Sequence, residues 1–217
     1  YEHAMSDLAL KLGLTNKNLK VEGYDISHHS GSDAVASCIK YTHEGPEKKS
    51  YRLYNIPKKL SGNDIGSIEH VLRRRFKSTT QENIPDVLLI DGGQAQLNAA
   101  LKVFQNMHFS PLILSIVKGV KRVRATETIL SKDGVIEISK DSSAFNLLQK
   151  IRDESHRFAI LSNRNKKNKK VRYSILDTIS GLGPVKKSNI LKELKTLKNI
   201  KSSSINELCR IDGISIK

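Results

Sequence analysis

The sequence predicts an α/β fold: one mixed sheet with helices on its faces, followed by a small all-α module. Two observations predict it. Short strand-like runs come first in a row on tight turns and then alternate with helical spacings, which turns a meander into parallel crossovers. The last quarter of the chain carries no strand signal, and its apolar residues recur at helical spacing around glycine turns.

Residues 3–14 have the spacing of a short amphipathic helix, with Ala4, Leu8, Leu10 and Leu14 among the apolar positions. Residues 20–27 form a strand and residues 33–41 a second, joined by the small polar link His28 to Ser32. A third strand, roughly Lys49–Asn55, follows the turn Glu44-Gly45-Pro46. Asp64–Phe76 is helical, with Ile65, Ile68, Leu72 and Phe76 in register, and ends in Arg73-Arg74-Arg75. Residues 86–91 are a run of Val, Leu and Ile that fits a strand buried on both faces. Gly92-Gly93 then turns the chain into a helix over about 94–106, and 112–117 form another buried strand. Residues 126–130 and 135–138 pair around Lys132-Asp133-Gly134. Asp141-Ser142-Ser143 caps a long helix over about 143–161. The order βββ–α–β–α–β–hairpin–α is that of the ribonuclease H-like fold. On that topology the first and fourth long strands lie parallel and adjacent.

That adjacency concerns two aspartates. Val21-Glu22-Gly23-Tyr24-Asp25 and Val87-Leu88-Leu89-Ile90-Asp91-Gly92-Gly93 both end an apolar run in a carboxylate. Side by side at one sheet end, Asp25 and Asp91 repel unless a cation stands between them, and an all-oxygen pair favours Mg²⁺ or Mn²⁺. Such an ion binds a scissile phosphate and acidifies an attacking water. The long helix buries Ala144, Leu147, Leu148, Ile151, Ser155, Phe158 and Ala159, and His156 lies off that stripe on a flank with Gln149, Arg152 and Asp153. Its position suits a metal ligand or a proton carrier.

The 217 residues are 38% hydrophobic, enough for one medium domain and a small one. No apolar run reaches the ~20 residues of a membrane span. There is no signal-peptide pattern, and the opening at Tyr1 without Met fits a piece of a longer protein. Cys38 and Cys209 are distant and lack CxxC spacing, which points to a reducing, cytoplasmic setting without zinc or disulfides. The net charge of +15 is uneven: residues 161–217 hold 14 Lys and Arg against 4 Asp and Glu. That excess favours a polyanion partner, most simply nucleic acid. Asn163–Arg172, with Lys166, Lys167, Lys169 and Lys170, has the composition of a solvated, flexible connector that also touches phosphate.

Leu176 to Lys187 is a helix, a Gly181-Leu182-Gly183 turn and a second helix starting at Pro184. The glycines let backbone approach a phosphate, the N–H groups of the next helix point at it, and Lys186 and Lys187 add charge. A second copy starts at Ser204-Ile205-Asn206-Glu207, with capping-box spacing, and continues to Ile211-Asp212-Gly213.

Four motifs carry a family resemblance: Tyr24-Asp25-Ile26-Ser27-His28, Val71-Leu72-Arg73-Arg74-Arg75-Phe76, Pro85 to Gly93, and Ile151-Arg152-Asp153-Glu154-Ser155-His156-Arg157-Phe158-Ala159. In this order they resemble the C-terminal half of UvrC, the incision subunit of bacterial nucleotide excision repair, from about residue 20 to 216. The resemblance implies a ribonuclease H-like endonuclease domain that cuts damaged duplex DNA 5′ to the lesion, with an Asp–Asp–His set on Asp25, Asp91 and His156. It places a further aspartate on Asp64, for which a first-turn carboxylate favoured by the helix dipole is an equal reading. Lys118 and Arg73, Arg74 and Arg75 are candidate phosphate contacts, Arg74 being equally suited to pairing with a helix-face acid. The glycine turn resembles a helix-hairpin-helix motif, which grips DNA backbone without reading sequence. UvrB, with UvrA upstream, is the implied partner, although the UvrB-binding segment is not among these residues.

The expected organisation is an N-terminal segment 1–19, the endonuclease domain 20–162, a basic linker 163–173 and the helix-hairpin-helix module 174–217. The chain ends before the closing helix of the second hairpin, and Asp212 sits where a phosphate is expected, so that hairpin is expected to bind DNA poorly. Weak or nonspecific nicking is expected of these residues on their own. The competing reading is a non-catalytic DNA-binding scaffold with a degenerate nuclease fold, against which the intact Asp25, Asp91 and His156 argue.

Overall fold

A computed structural model describes all residues except 17, 28–33, 106, 118–126 and 216–217; of residue 81 and residues 162–174 only the backbone is described. The expected link 28–32 and the candidate Lys118 therefore lie outside the described residues. Contacts divide the chain into two compact units, Tyr1–Leu161 and Ser162–Lys217.

The first unit is an eight-stranded mixed sheet. Its strands are β1 (Val21–Ser27), β2 (Val35–Thr42), β3 (Gly45–Pro46), β4 (Arg52–Asn55), β5 (Val87–Asp91), β6 (Leu112–Val117), β7 (Thr128–Ser131) and β8 (Gly134–Ile136). They lie in the order β3-β2-β1-β5-β6-β7-β8, with β4 also pairing β2. β1 runs antiparallel to β2 and parallel to β5, and β5 runs parallel to β6. The helices are α1 (Glu2–Lys11), α2 (Asp64–Phe76), α3 (Gln94–Phe104) and the start of α4 (Ser143–Asp177).

The period-2 alternation of the two central strands sorts their side chains onto two faces. Val21, Val87 and Leu89 join the core shared with α1 and α4, among Met5, Leu8, Leu148 and Ile151. Tyr24, Leu88 and Ile90 join the core shared with α2 and α3, among Ile68, Leu72, Leu97 and Phe104. Both faces are covered, which explains the uninterrupted apolar run 87–90. By the same parity Asp25 and Asp91 belong to the α4 face.

Four expectations change in detail. The third strand starts later: Ser50 Oγ donates to Glu47 Oε1 at 2.6 Å, closing a single helical turn over Lys48–Ser50 ahead of β4. The hairpin is shorter, β7 and β8 meeting at Gly134, whose φ of +115° suits glycine. In α1 the buried positions are Met5, Leu8 and Ala9, whereas Leu10 is 79% exposed, so part of residues 1–19 packs into the first core. Finally, residues 163–173 have helical backbone, because α4 continues to Asp177. The stretch has no Gly or Pro and is rich in Lys and Arg, which propagate a helix once it is nucleated.

In the second unit, the end of α4 leads through Gly181 (φ +78°) and Gly183 into α5 (Pro184–Leu194), with Pro184 at the first turn. α6 (Leu197–Ser202) and α7 (Ile205–Cys209) follow. Thr196 caps α6, and Ser204 and Glu207 cap α7 reciprocally. Gly213 repeats the left-handed conformation of Gly181, at φ +82°. Among the described residues no helix is long and apolar enough to cross a membrane.

Candidate metal centre

The register of the parallel pair carries the two aspartates to the same rim. Tyr24 is level with Ile90, and Asp25 and Asp91 are the next residues on each strand. Gly92 follows at once because there is no room for a side chain: a Cβ there would lie 2.9 Å from Gln96 Cγ. The Gly93 N–H donates to Gln96 Oε1 at 3.0 Å, closing the first turn of α3.

α4 brings the third group. It lies so close to β1 that a Cβ on Gly23 would stand 2.6 Å from Ile151 Cγ2. A glycine inside a strand marks such an approach. Two residues further along β1 and just over a turn along α4, His156 Nδ1 stands 3.4 Å from Asp25 Oδ2. One donor atom from each of Asp25, Asp91 and His156 falls within 4.8 Å of the others, and this is the one such cluster found among the described residues. Asp25 is buried at 5% exposure, Asp91 is half-buried and the His156 side chain is 48% exposed. The cluster is thus anchored in the sheet and open on the histidine side. Two carboxylates and an imidazole form a donor set that fits a divalent cation.

The remaining candidates scatter. Asp64 opens α2 behind the cap Asn63, whose Oδ1 accepts the Gly66 N–H at 2.9 Å, and it stands outside the three-residue cluster. Arg73 and Arg74 are exposed, with the Arg74 guanidinium 5.6 Å from the centre of the Tyr54 ring. The Arg75 guanidinium turns inward onto the buried Glu22 at 2.7 Å. The Tyr24 hydroxyl donates to the other oxygen of Glu22 at 2.6 Å, so a buried carboxylate on the α2 side of β1 holds this arginine. In the second unit Gly181 and Gly183 are open, and a Cβ on either meets nothing within 4 Å. Lys187 is paired with Asp177, and the Lys186 stem passes 3.5 Å from where a Gly213 Cβ would stand. The backbone of Lys166, Lys167, Lys169 and Lys170 is helical, and their side chains lie outside the described set.

Several buried polar residues have partners that the sequence did not show. Arg152, assigned there to the polar flank with His156, is 5% exposed and paired with the buried Glu127, which also accepts from Gln149 Nε2 at 2.7 Å. Ser37 and Ser115 are fully buried. Gly23 carried a usable signal, a glycine within an otherwise apolar strand; Ser37, Ser115 and Glu127 carried none, since their partners come from elements far away in sequence.

This sheet order, with two strand-end aspartates at neighbouring positions and a helical histidine over them, defines a ribonuclease H-like nuclease fold. The chain belongs to the UvrC RNase H endonuclease domain family, whose model matches residues 9–160. UvrABC system protein C of Shewanella pealeana is 40% identical over 210 residues, covering 94% of this chain and 34% of that protein. Its counterpart in Pseudomonas putida (strain KT2440) is 41% identical over 215 residues, covering 97% and 35%. The chain spans about a third of the length of these curated relatives. A solved structure of Ciona intestinalis endonuclease V, in complex with an inosine-containing DNA, is 17% identical with a TM-score of 0.35, covering 54% of this chain and 55% of that one. That likeness is too slight to carry an argument.

Proposed function

We propose that this chain is the part of a nucleotide excision repair nuclease that hydrolyses the phosphodiester 5′ to a lesion in duplex DNA. The observation that carries the reading is the convergence of Asp25, Asp91 and His156 from three elements within 4.8 Å, in a chain of this family. Asp25 and Asp91 hold Mg²⁺ or Mn²⁺, with His156 as third ligand or proton carrier. The bound ion supplies Lewis-acid activation of the phosphate and of the attacking water. The buried Asp25 supplies a fixed carboxylate, Asp91 a more accessible one, and the exposed His156 faces the side from which substrate enters. Residues 20–162 act as the endonuclease domain. Residues 174–217 act as a helix-hairpin-helix module, in which the open Gly181–Gly183 backbone and the N-terminus of α5 accept phosphate. Lys186 and the exposed Arg73 and Arg74 add nonspecific charge, as do Lys118, Lys166, Lys167, Lys169 and Lys170. Asp64 has a lesser claim to a role in catalysis. UvrB, with UvrA before it, delivers the lesion in the cytoplasm.

The test is incision of a lesion-bearing duplex already nicked on the 3′ side, with Mg²⁺ or Mn²⁺ and with UvrA and UvrB present. Asp25→Ala, Asp91→Ala and His156→Ala are each expected to lower incision by about 100-fold or more, beyond the 10–100-fold typical of outer partners of a metal site. Four proteins of equal activity overturn the assignment. A wild type that binds DNA but never cuts it, under any metal, supports the scaffold reading instead.

A further inference from the structure

Two buried serines flank the central strands, one on each side. Ser37 on β2 is the register partner of Asp25, and Ser115 on β6 is the partner of Ile90, the residue before Asp91. Both are fully buried. Each hydroxyl has found a main-chain carbonyl beside a residue of the cluster. Ser37 Oγ donates to the Ser155 carbonyl at 2.9 Å, one residue before His156. Ser115 Oγ donates to the Gly92 carbonyl, one residue after Asp91, and lies 3.5 Å from the Gly93 carbonyl. A helix carbonyl already serves its own ladder, so Ser37 uses its second lone pair. Alanine fills such a site without a polar atom to satisfy, and stability alone gives little reason to prefer serine.

We infer that Ser37 and Ser115 are positioning residues of the metal centre: Ser37 sets where His156 stands over Asp25, and Ser115 sets the turn that presents Asp91. The inference rests on the reading of Asp25, Asp91 and His156 as metal ligands. Gly23 and Ser37 act together. The missing side chain lets α4 come down onto β1, and the hydroxyl holds it at that height and register. The close approach decides whether an imidazole on a helix reaches a carboxylate on a strand, and a shift of about 1 Å is enough to spoil such a constellation.

The experiment titrates Mn²⁺ into the 217-residue chain and into Ser37→Ala, Ser115→Ala, Asp25→Ala and a control, Ser131→Ala. The control removes a comparable bond, Ser131 Oγ to the Gly134 carbonyl at 3.2 Å, in the β7–β8 turn. Ser37→Ala and Ser115→Ala are expected to weaken Mn²⁺ binding about tenfold, the lower end of the range for groups that orient metal ligands. Ser131→Ala is expected to bind as wild type does. In incision assays the two serine variants are expected to lower kcat with KM for the duplex unchanged. Either variant carries the test alone if the other fails to fold. If both bind Mn²⁺ like wild type while Asp25→Ala does not bind, the positioning role is overturned and the metal reading survives. If Asp25→Ala binds like wild type, the metal reading falls and this inference with it. An equal loss in Ser131→Ala reduces the effect to general stability and also overturns the inference.

Discussion

The two units solve opposite problems. Tyr1–Leu161 buries a continuous core on each face of its sheet, with Tyr24, Leu88, Ile90, Leu114, Leu148 and Ile151 almost without exposed surface. In Ser162–Lys217 the buried apolar residues among those described are Leu176, Ile190 and Ile211, while Ile179, Val185 and Ile205 are more than half exposed. Positive charge is distributed the other way, with 14 of the 37 Lys and Arg in residues 161–217. A tight core holds the side chains of Asp25, Asp91 and His156 within 4.8 Å of one another, which needs a rigid frame. The short, capped helices of the second unit instead offer open backbone and cations, features that suit a polyanion more than rigidity does.

The most severe way to probe this division is to delete residues 163–217. Nonspecific duplex binding is expected to fall by roughly 100-fold or more at 50 mM salt, with a flatter dependence of log K on log salt. Mn²⁺ binding at the Asp25–Asp91–His156 cluster is expected to be unchanged, because all three residues lie in the first unit. A filter-binding salt series and a calorimetric Mn²⁺ titration check the two halves. Loss of both together breaks the division of labour.

A smaller effect sharpens it. Arg75 and Lys187 are both cations from basic runs, and both are turned to a carboxylate of the protein. Arg75 faces Glu22, which is 3% exposed; Lys187 faces Asp177, which is 61% exposed. Arg75→Ala leaves a buried carboxylate without its cation and is expected to cost about 3 kcal/mol. Lys187→Ala releases a carboxylate that water already serves, and is expected to cost less than about 1 kcal/mol. Urea unfolding of the two variants measures the difference. Equal costs mean that the first core is no more closed than the second unit.

How far the sequence was legible follows the same line between local and distant causes. The strand order, the buried stripe of α4 and the capping box at Ser204 rest on periodicity and near neighbours, and each appears in the structure. So does the meeting of Asp25 with Asp91, since topology and a parallel register place strand ends together. The partners of Arg75, Arg152 and Lys187 were not legible: each faces an acid 10 or more residues away, Arg152 together with its neighbour Asp153, and no local pattern distinguishes such a cation from a solvated one. The helical backbone of 163–173 was not legible because a lysine run carries the composition of a loose connector and the propensity of a helix at once. Ser37 and Ser115 were invisible because a serine in a strand acquires meaning only from what is opposite it.

The smallest expected effect concerns a device that both units share, a carboxylate capping a helix. In the first unit it acts across 136 residues of sequence: Asp7 Oδ2 on α1 accepts from Ser143 Oγ at 2.7 Å and from the Ala144 N–H at 2.8 Å, at the start of α4. Those two bonds, the serine hydroxyl first and the amide second, hold the Asp7 carboxyl below its ordinary range, with help from Lys11. In the second unit the Ser204 amide and hydroxyl do the same for Glu207, at the start of α7. A carboxylate depressed in the folded state stabilises fully above its unfolded pKa of about 4, and that contribution fades as pH falls through the folded value. Asp7→Ala is therefore expected to cost about 1 kcal/mol at pH 7, the usual loss for a cap, and clearly less near pH 2. Asp7→Asn keeps an acceptor but no titrating charge, so its stability is expected to depend less on pH than wild type does. Urea melts of the three proteins at pH 7 and near pH 2 decide it. An Asp7→Ala deficit of equal size at both pH values shows that the cap does not depend on the charge of the Asp7 carboxylate.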